Sequence, residues 1–278
     1  MRGFIAILFT VLLSTVFGKT PPAKGKLFII GGGERTDALI DRMILESGLR
    51  EGGYAIVLPM SSAEPDSSVY YAIKPFTKQG FKSIYGLHFV KGEVLTQQKL
   101  DSIRNAKLIF ISGGDQNKFM DVVLGTEIEK AIHAAYQSGS MVAGTSAGAA
   151  VMSKVMITGN ELKHPAYTAT FQNIEEANIE TKQGLGLLET VIIDQHFVKR
   201  SRHNRLISAI IEFPDMQGIG IDESTAILVK GKDVEVVGES QVIILENPKR
   251  SKVVRNGKLG ASGIQMTVLL PGDKFRLK

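Results

Sequence analysis

The chain has 278 residues, 44% apolar and 22% charged, with a formal net charge of +5 and no cysteine. This composition excludes a disordered chain, and the absent thiols exclude disulfides, a cysteine nucleophile and Cys-ligated zinc. Lys and Arg are spread along the chain with no basic block interleaved with aromatics, so nucleic acid is not an expected partner.

The first segment, "MRGFIAILFTVLLSTVFGKT", carries Arg2, an apolar run from Phe4 to Leu13 and then smaller residues. The run is shorter than the roughly 20 residues a spanning helix needs. A positive start, a short apolar centre and small residues at Val16 and Gly18 predict a secretory signal over residues 1–18. The mature chain then starts near Lys19 and is exported, to the periplasm or beyond, without stable membrane insertion.

"GKLFIIGGGE" predicts a buried strand over Lys26–Ile30 that runs into three glycines. "TDALIDRMILESGL" places Leu39, Met43 and Ile44 on one helical face. "YAIVLPMSSA" is a strand ending in a polar loop, and "PDSSVYYAIKPFTKQGF" is a helix with its exit. "KSIYGLHFV", "QQKLDSIRNA" and "KLIFISGGDQ" read as strand, helix and strand. "KFMDVVLGTEIEKAIHAAYQSG" is helical in two pieces, and "SMVAGT" is the next strand. Strands that are short continuous apolar runs and alternate with helices predict a doubly wound, mostly parallel α/β sheet covered on both faces. Beyond about residue 225, β-branched alternation and turns at Asn256-Gly257 and Pro271-Gly272 predict hairpins. The expected division is an α/β domain over 19–229 and a C-terminal β extension, 230–278, packed on it.

In such sheets the ligand lies beyond the carboxyl ends of the strands. Four loops rich in small residues are expected there: Gly31-Gly32-Gly33, Ser61-Ser62, Gly113-Gly114-Asp115-Gln116, and the turn at Ser146. The first invites a dinucleotide reading, but Thr36 stands where the third glycine of G-x-G-x-x-G belongs, and a tight strand-to-helix turn is the better reading. Gly144-Thr145-Ser146-Ala147-Gly148 matches G-x-S-x-G, in which a serine projects from a strand-to-helix turn whose following amide faces a developing oxyanion. Close packing of strand on helix is the competing reading. A serine nucleophile needs a base. Of five histidines, His196 follows an apolar strand directly in "VIIDQH", so it joins Ser146 at the carboxyl edge of the sheet. His88 and His133 read as structural or exposed, and His164 sits in a loop before Pro165.

These residues carry a resemblance. "GTSAGAAVMS", "DQHFVKRSRHNRL", "GIGIDESTA" and "FISGGDQ" resemble the cyanophycinase branch of the serine peptidase family that includes aspartyl dipeptidase, over roughly Lys26 to Val229. The resemblance implies a fold akin to class I glutamine amidotransferases, with Ser146 as nucleophile and His196 as general base. It implies the amides of Gly114 and Ala147 as oxyanion hole, where one donor is worth about 3–4 kcal/mol. The family's acidic residue follows the serine by fifteen to twenty positions, which selects Glu161, with Glu175, Glu176 and Glu223 as replacements. Pocket residues map to Gln116, Asp194, Gln195, Arg200, Arg202 and Arg205, where arginines would grip substrate carboxylates and Asp194 a guanidinium. The expected substrate is cyanophycin or a related β-aspartyl-arginine peptide. An α-aspartyl or isoaspartyl dipeptidase, a broader peptidase, and a non-catalytic binding module on the same scaffold are the alternatives. No cofactor and no metal is expected, and a homodimer is a family expectation. The segment "ELKHPAYTATFQNIEEANIE" matches no known pattern.

Overall fold

A computed structural model describes residues 23–166, 168 and 170–278; the expected leader lies outside the described residues. The first half alternates strand and helix: β1 (Lys26–Ile30), α1 (Asp37–Ser47), β2 (Ala55–Leu58), α2 (Pro65–Lys78), β3 (Ile84–Gly86), α3 (Gln97–Arg104), β4 (Leu108–Ile111), α4 (Gln116–Val123), α5 (Glu127–Ser138) and β5 (Met141–Thr145). Then come α6 (Ala147–Ala150), β6 (Val155–Glu161), β7 (Ile179–Gln183), β8 (Val191–Gln195), α7 (His203–Glu212) and β9 (Gln217–Ile221). The chain ends in β10 (Thr225–Lys230), β11 (Asp233–Gly238), β12 (Val242–Glu246), β13 (Val253–Arg255), β14 (Lys258–Gly260), β15 (Gln265–Leu269) and β16 (Lys274–Arg276).

Helix starts follow local chemistry. The side chains of Thr36, Thr96, Asp115 and Thr126 each accept a backbone N–H from the first turn of α1, α3, α4 and α5, satisfying donors that no helical carbonyl can reach. Gly48 and Gly139 close α1 and α5 in the left-handed conformation. The expected strand from Lys82 to Val90 is paired only over Ile84–Gly86. The helix after Ser146 is a single short turn that ends at Val151.

The main sheet has the order β16-β11-β10-β1-β5-β4-β2-β3. It is parallel from β1 through β5, β4 and β2 to β3, and antiparallel at β10, β11 and β16. Alternate residues of β1 enter different cores: Leu27 and Ile29 join the layer with α3 and α5, while Phe28 and Ile30 join the layer with α1 and α2. All four are fully buried, which explains why β1 reads as an unbroken apolar run; each such side chain contributes about 1.5–3 kcal/mol.

A second sheet, β15-β12-β9-β8, stands beside the single sheet that the sequence predicts. Ile193, Ile219, Ile221 and Val242 face the larger core, while Ile192, Ile243 and Leu245 face α7. The strands beyond residue 230 are thus shared between both sheets, and the expected boundary at 229/230 falls inside β10. What matters for the site is that β5 of the first sheet and β8 and β9 of the second end at one place, beside the Gly31–Gly33 loop.

Candidate active site

β5 delivers Ser146 into a backbone conformation few residues adopt, φ 55° and ψ −113°, and α6 begins at the next residue. The turn is tight because its neighbours are small. A Cβ on Gly144 would overlap the carbonyl of Gly148, and one on Gly148 would overlap the carbonyl of Ile111. The packing reading of this stretch is therefore also true: close approach of strand and helix is what holds the serine in its strained position. The Ser146 side chain, half-buried, meets the ring of His196 with Oγ and Nε2 2.8 Å apart.

His196 follows β8 with φ 50°. Its other ring nitrogen, Nδ1, lies 2.6 Å from Oε1 of Glu223, which follows β9. β8 and β9 run parallel with Gln195 opposite Ile221, so consecutive strand ends place the imidazole and the carboxylate side by side. Burial pushes the His196 pKa below its usual value of 6.5; Glu223 opposes that shift, and the charges of Arg200 and Arg202 add to it. The ring is therefore neutral near pH 7. The proton on Nδ1 is donated to Glu223, and Nε2 accepts from the serine hydroxyl.

The triple glycine is the mount for this relay. The Gly31 carbonyl accepts the His196 amide at 2.7 Å, the Gly32 carbonyl accepts the Ser224 amide at 2.9 Å, and Ile30 accepts the Ser146 amide at 3.1 Å. A Cβ on Gly32, whose φ is +117°, would stand 2.6 Å from Nε2 of His196, and one on Gly33 would stand 2.7 Å from Cβ of Glu223. This loop holds backbone against the imidazole and the acid. The glycines serve close approach and left-handed backbone, as the turn reading holds.

The second glycine pair completes the mouth. Gly113 abuts Ser146, since a Cβ there would lie 3.4 Å from the serine Cβ. Gly114 adopts φ +135° against the carbonyl of Ser61, which accepts the Asp115 amide at 2.8 Å. The amide of Ala147 is the first N–H of α6 and has no intrahelical acceptor.

The sequence profile described as Peptidase family S51 matches residues 27–237. The chain belongs to this family. It is a serine-type peptidase. Among curated relatives, the cyanophycinase of Trichormus variabilis is 32% identical over 93% of this chain and 88% of its own length. The cyanophycinase of a Nostoc species is 31% identical over the same shares. Among solved structures, a peptidase from an acI-B1 actinobacterium superposes with a TM-score of 0.64 at 22% identity, covering 91% of this chain and 97% of its own. A putative peptidase E protein from Listeria monocytogenes EGD-e gives a TM-score of 0.52 at 16% identity over 78% of this chain and 100% of its own. Both likenesses carry the fold.

In this S51 peptidase two expectations are corrected. Glu161 does not meet His196. It ends β6, and its carboxylate accepts the Gln172 amide at 3.0 Å and the side-chain amides of Asn173 and Asn178 at 2.9 Å each. Burial pushes its pKa up, but these hydrogen bonds outweigh burial and hold it below the usual carboxylate range. Glu175 pairs with His164 and Lys258, and Glu176 lies near Lys252. The carboxylate on the imidazole is Glu223, the last of the replacements considered. Its signal was present in "GIGIDESTA": like "VIIDQH", this is an apolar strand that ends abruptly in polar residues. Spacing from the serine carried no such information, because the strand pair β8–β9 sets the acid's position.

The second correction concerns Asp194. Its carboxylate is buried and is gripped by Arg205, Nε to Oδ2 at 2.7 Å and Nη2 to Oδ1, so it faces no substrate guanidinium. Gln195 joins the same network, its Oε1 accepting from Arg205 at 2.8 Å and from Arg202. Arg202 and Arg205 are 4% and 5% exposed; they are neither a solvated basic face nor free to grip a ligand with both edges. Gln116 is buried at the start of α4 and donates to the carbonyls of Ile157 and Thr158 at 2.9 and 2.7 Å. Arg200 alone of the three arginines is exposed.

Proposed function

We propose that Ser146, His196 and Glu223 are the nucleophile, base and orienting acid of an exported S51 peptidase that cleaves β-aspartyl-arginine peptides. The observation that carries the mechanism is the unbroken relay of 2.8 and 2.6 Å contacts from hydroxyl to imidazole to carboxylate. The serine Oγ attacks the scissile carbonyl while its proton passes to Nε2 of His196. The tetrahedral oxyanion then faces the amides of Gly114 and Ala147. Collapse expels the amine, which takes the proton from Nε2, and leaves an acyl-serine that water hydrolyses by the same route in reverse. Glu223 keeps the proton on Nδ1 and stabilises the transient imidazolium.

The substrate reading rests on the two cyanophycinases at 31–32% identity and on the exposed guanidinium of Arg200 near His196. Exposed Arg200, whose amide bonds to the His196 carbonyl at 2.9 Å, is placed to meet a substrate carboxylate. Export rests on the leader-like residues 1–18 and is tested by N-terminal sequencing of the protein recovered outside the cytoplasm, expected to begin near Lys19. Incubation with insoluble cyanophycin is expected to release β-aspartyl-arginine, and Ser146→Ala to lower the rate about 10⁶-fold. No release from the polymer, with cleavage of α-aspartyl or isoaspartyl dipeptides instead, would redirect the substrate reading. Full activity in Ser146→Ala would end the mechanism.

A further inference from the structure

The connection from β6 to β7 spans residues 162–178, far more chain than an antiparallel pair needs. Connections of this length within a compact domain are usually functional. Its neck is clasped by two side chains. Glu161 gathers the Gln172 amide and the Asn173 side chain, as described above. Asn178, fully buried, takes the other side: its carbonyl accepts the Leu162 amide at 2.7 Å, its Oδ1 the Lys163 amide at 2.9 Å, and its Nδ2 donates to Glu161 at 2.9 Å. One carboxylate and one amide thus tie the outgoing and returning chains together.

The clasp fixes residues 170–173 against the chain that follows His196. Phe171 is 3% exposed, packed with Ile157, Phe197 and Leu206, and its carbonyl accepts from Asn204 Nδ2 at 3.0 Å. Thr170 Oγ1 donates to the carbonyl of Arg200 at 3.4 Å. Glu161, Phe171 and Arg205 also share a narrow polar cleft. Arg205 in turn holds Asp194 and Gln195, the residues that run into His196. Nothing in the hydrolytic relay uses Glu161, yet it is the group on which this wall depends.

We propose that Glu161, with Asn178, is a positioning residue for substrate binding: it clamps the 170–173 segment against Arg200 and Arg205 and so sets how tightly the peptide is held. This rests on Ser146 being the peptidase centre. In Glu161→Gln, the new amide Nε2 meets the donors of Asn173 and Asn178, whereas Oε1 still accepts from Gln172. Adding Asn178→Asp restores an acceptor opposite Nε2 and still accepts the Lys163 amide, while the Asn173 side-chain amide stays opposed to Nε2 and the bond from position 178 to the Asn173 carbonyl is lost.

The test uses the full-length mature protein and two serine reagents, a small phosphonofluoridate and a phosphonate bearing an aspartyl peptide, together with hydrogen exchange. In Glu161→Gln, labelling of Ser146 by the small reagent should be unchanged. Labelling by the aspartyl phosphonate should fall about tenfold through weaker binding as the two side-chain amide bonds to Glu161 are lost and the segment loosens. Exchange of the 170–173 amides should rise while that of β5 and α6 stays fixed. The double variant should recover part of both. Equal labelling by the aspartyl phosphonate in native and Glu161→Gln protein overturns the proposal, as does loss of labelling by both reagents, which would mark a general structural role. Failure of the small reagent to label the native protein overturns the reading of Ser146 itself, and is seen before any variant is compared.

Discussion

Glu161 and Glu223 each stand at the end of a strand and close to His196 or the residues that support it, yet their surroundings assign them different work. Glu223 offers Oε1 to a ring nitrogen and sits over a glycine whose missing Cβ makes room for it. Glu161 has its acceptor capacity taken by three amides of its own loop. A carboxylate surrounded by fixed amide donors is a structural clasp; one aimed at a neutral imidazole can answer a charge that appears during reaction. Proximity in sequence to the nucleophile separates the two wrongly, and contact separates them correctly.

The sharpest way to break this contrast is to amidate each acid. Glu223→Gln should lower kcat by about 10⁴-fold, because the amide cannot hold the required tautomer, whereas Glu161→Gln should leave kcat within about threefold and act on binding. Comparable losses of kcat in the two variants would remove the distinction. Next in size is Gly32→Ala. Its Cβ would intrude on the imidazole at a backbone φ of +117°, and displacing the ring by about 1 Å should cost about 100-fold in kcat/KM, with the labelling rate of Ser146 as the readout. Normal activity in that variant would show that the glycine loop does not mount the relay.

The pH profile follows. The active form of His196 is the unprotonated one, and burial together with Arg200 and Arg202 lowers its pKa below 6.5. The acid limb of kcat/KM should therefore lie below pH 6.5. Glu223 raises that pKa, so in Glu223→Gln the residual activity should show its limb at lower pH still; a limb shifted upward would contradict the assignment. The smallest expected effect lies away from the site. Glu46 accepts from Lys26 and Lys230, whose hydrogen bonds and charges outweigh the upward push of burial and bring its pKa down from 4.5 to about 2. Glu46→Gln should cost about 1 kcal/mol in urea unfolding at pH 7. The native advantage should be complete above pH 4.5 and disappear as pH falls towards 2, with kcat untouched.

Much of the first half of the molecule was legible because its information is local. β1, β2, β4 and β5 are continuous apolar runs, and such runs alternating with helices leave a covered parallel sheet as the natural arrangement. Ser146 and His196 were legible for a related reason: both lie where an apolar strand gives way abruptly to polar chain. The second sheet was not legible. β8, β9, β12 and β15 are separated by up to a helix or a hairpin, and nothing in their alternation says that they leave the main sheet and pack against it. The Gly31–Gly33 loop was visible as a turn, but its duty depends on His196 and Glu223, which arrive from far along the chain. Arg202 and Arg205 looked solvent-facing or ligand-facing because charge alone does not reveal that Asp194 is buried beneath them.

From the sequence alone, then, come the alternating α/β order, the serine on its glycine-flanked turn, the histidine at a strand end, and a resemblance specific enough to name a family. The tertiary structure alone decides the acid, the mount and the clasp. The physical reason is that hydrophobic runs and turn residues act over neighbouring positions, whereas a hydrogen bond between side chains is fixed by which strands happen to end together. Parallel pairing of β8 with β9 put Glu223 on the imidazole, and the closed neck of the β6–β7 connection kept Glu161 away from it.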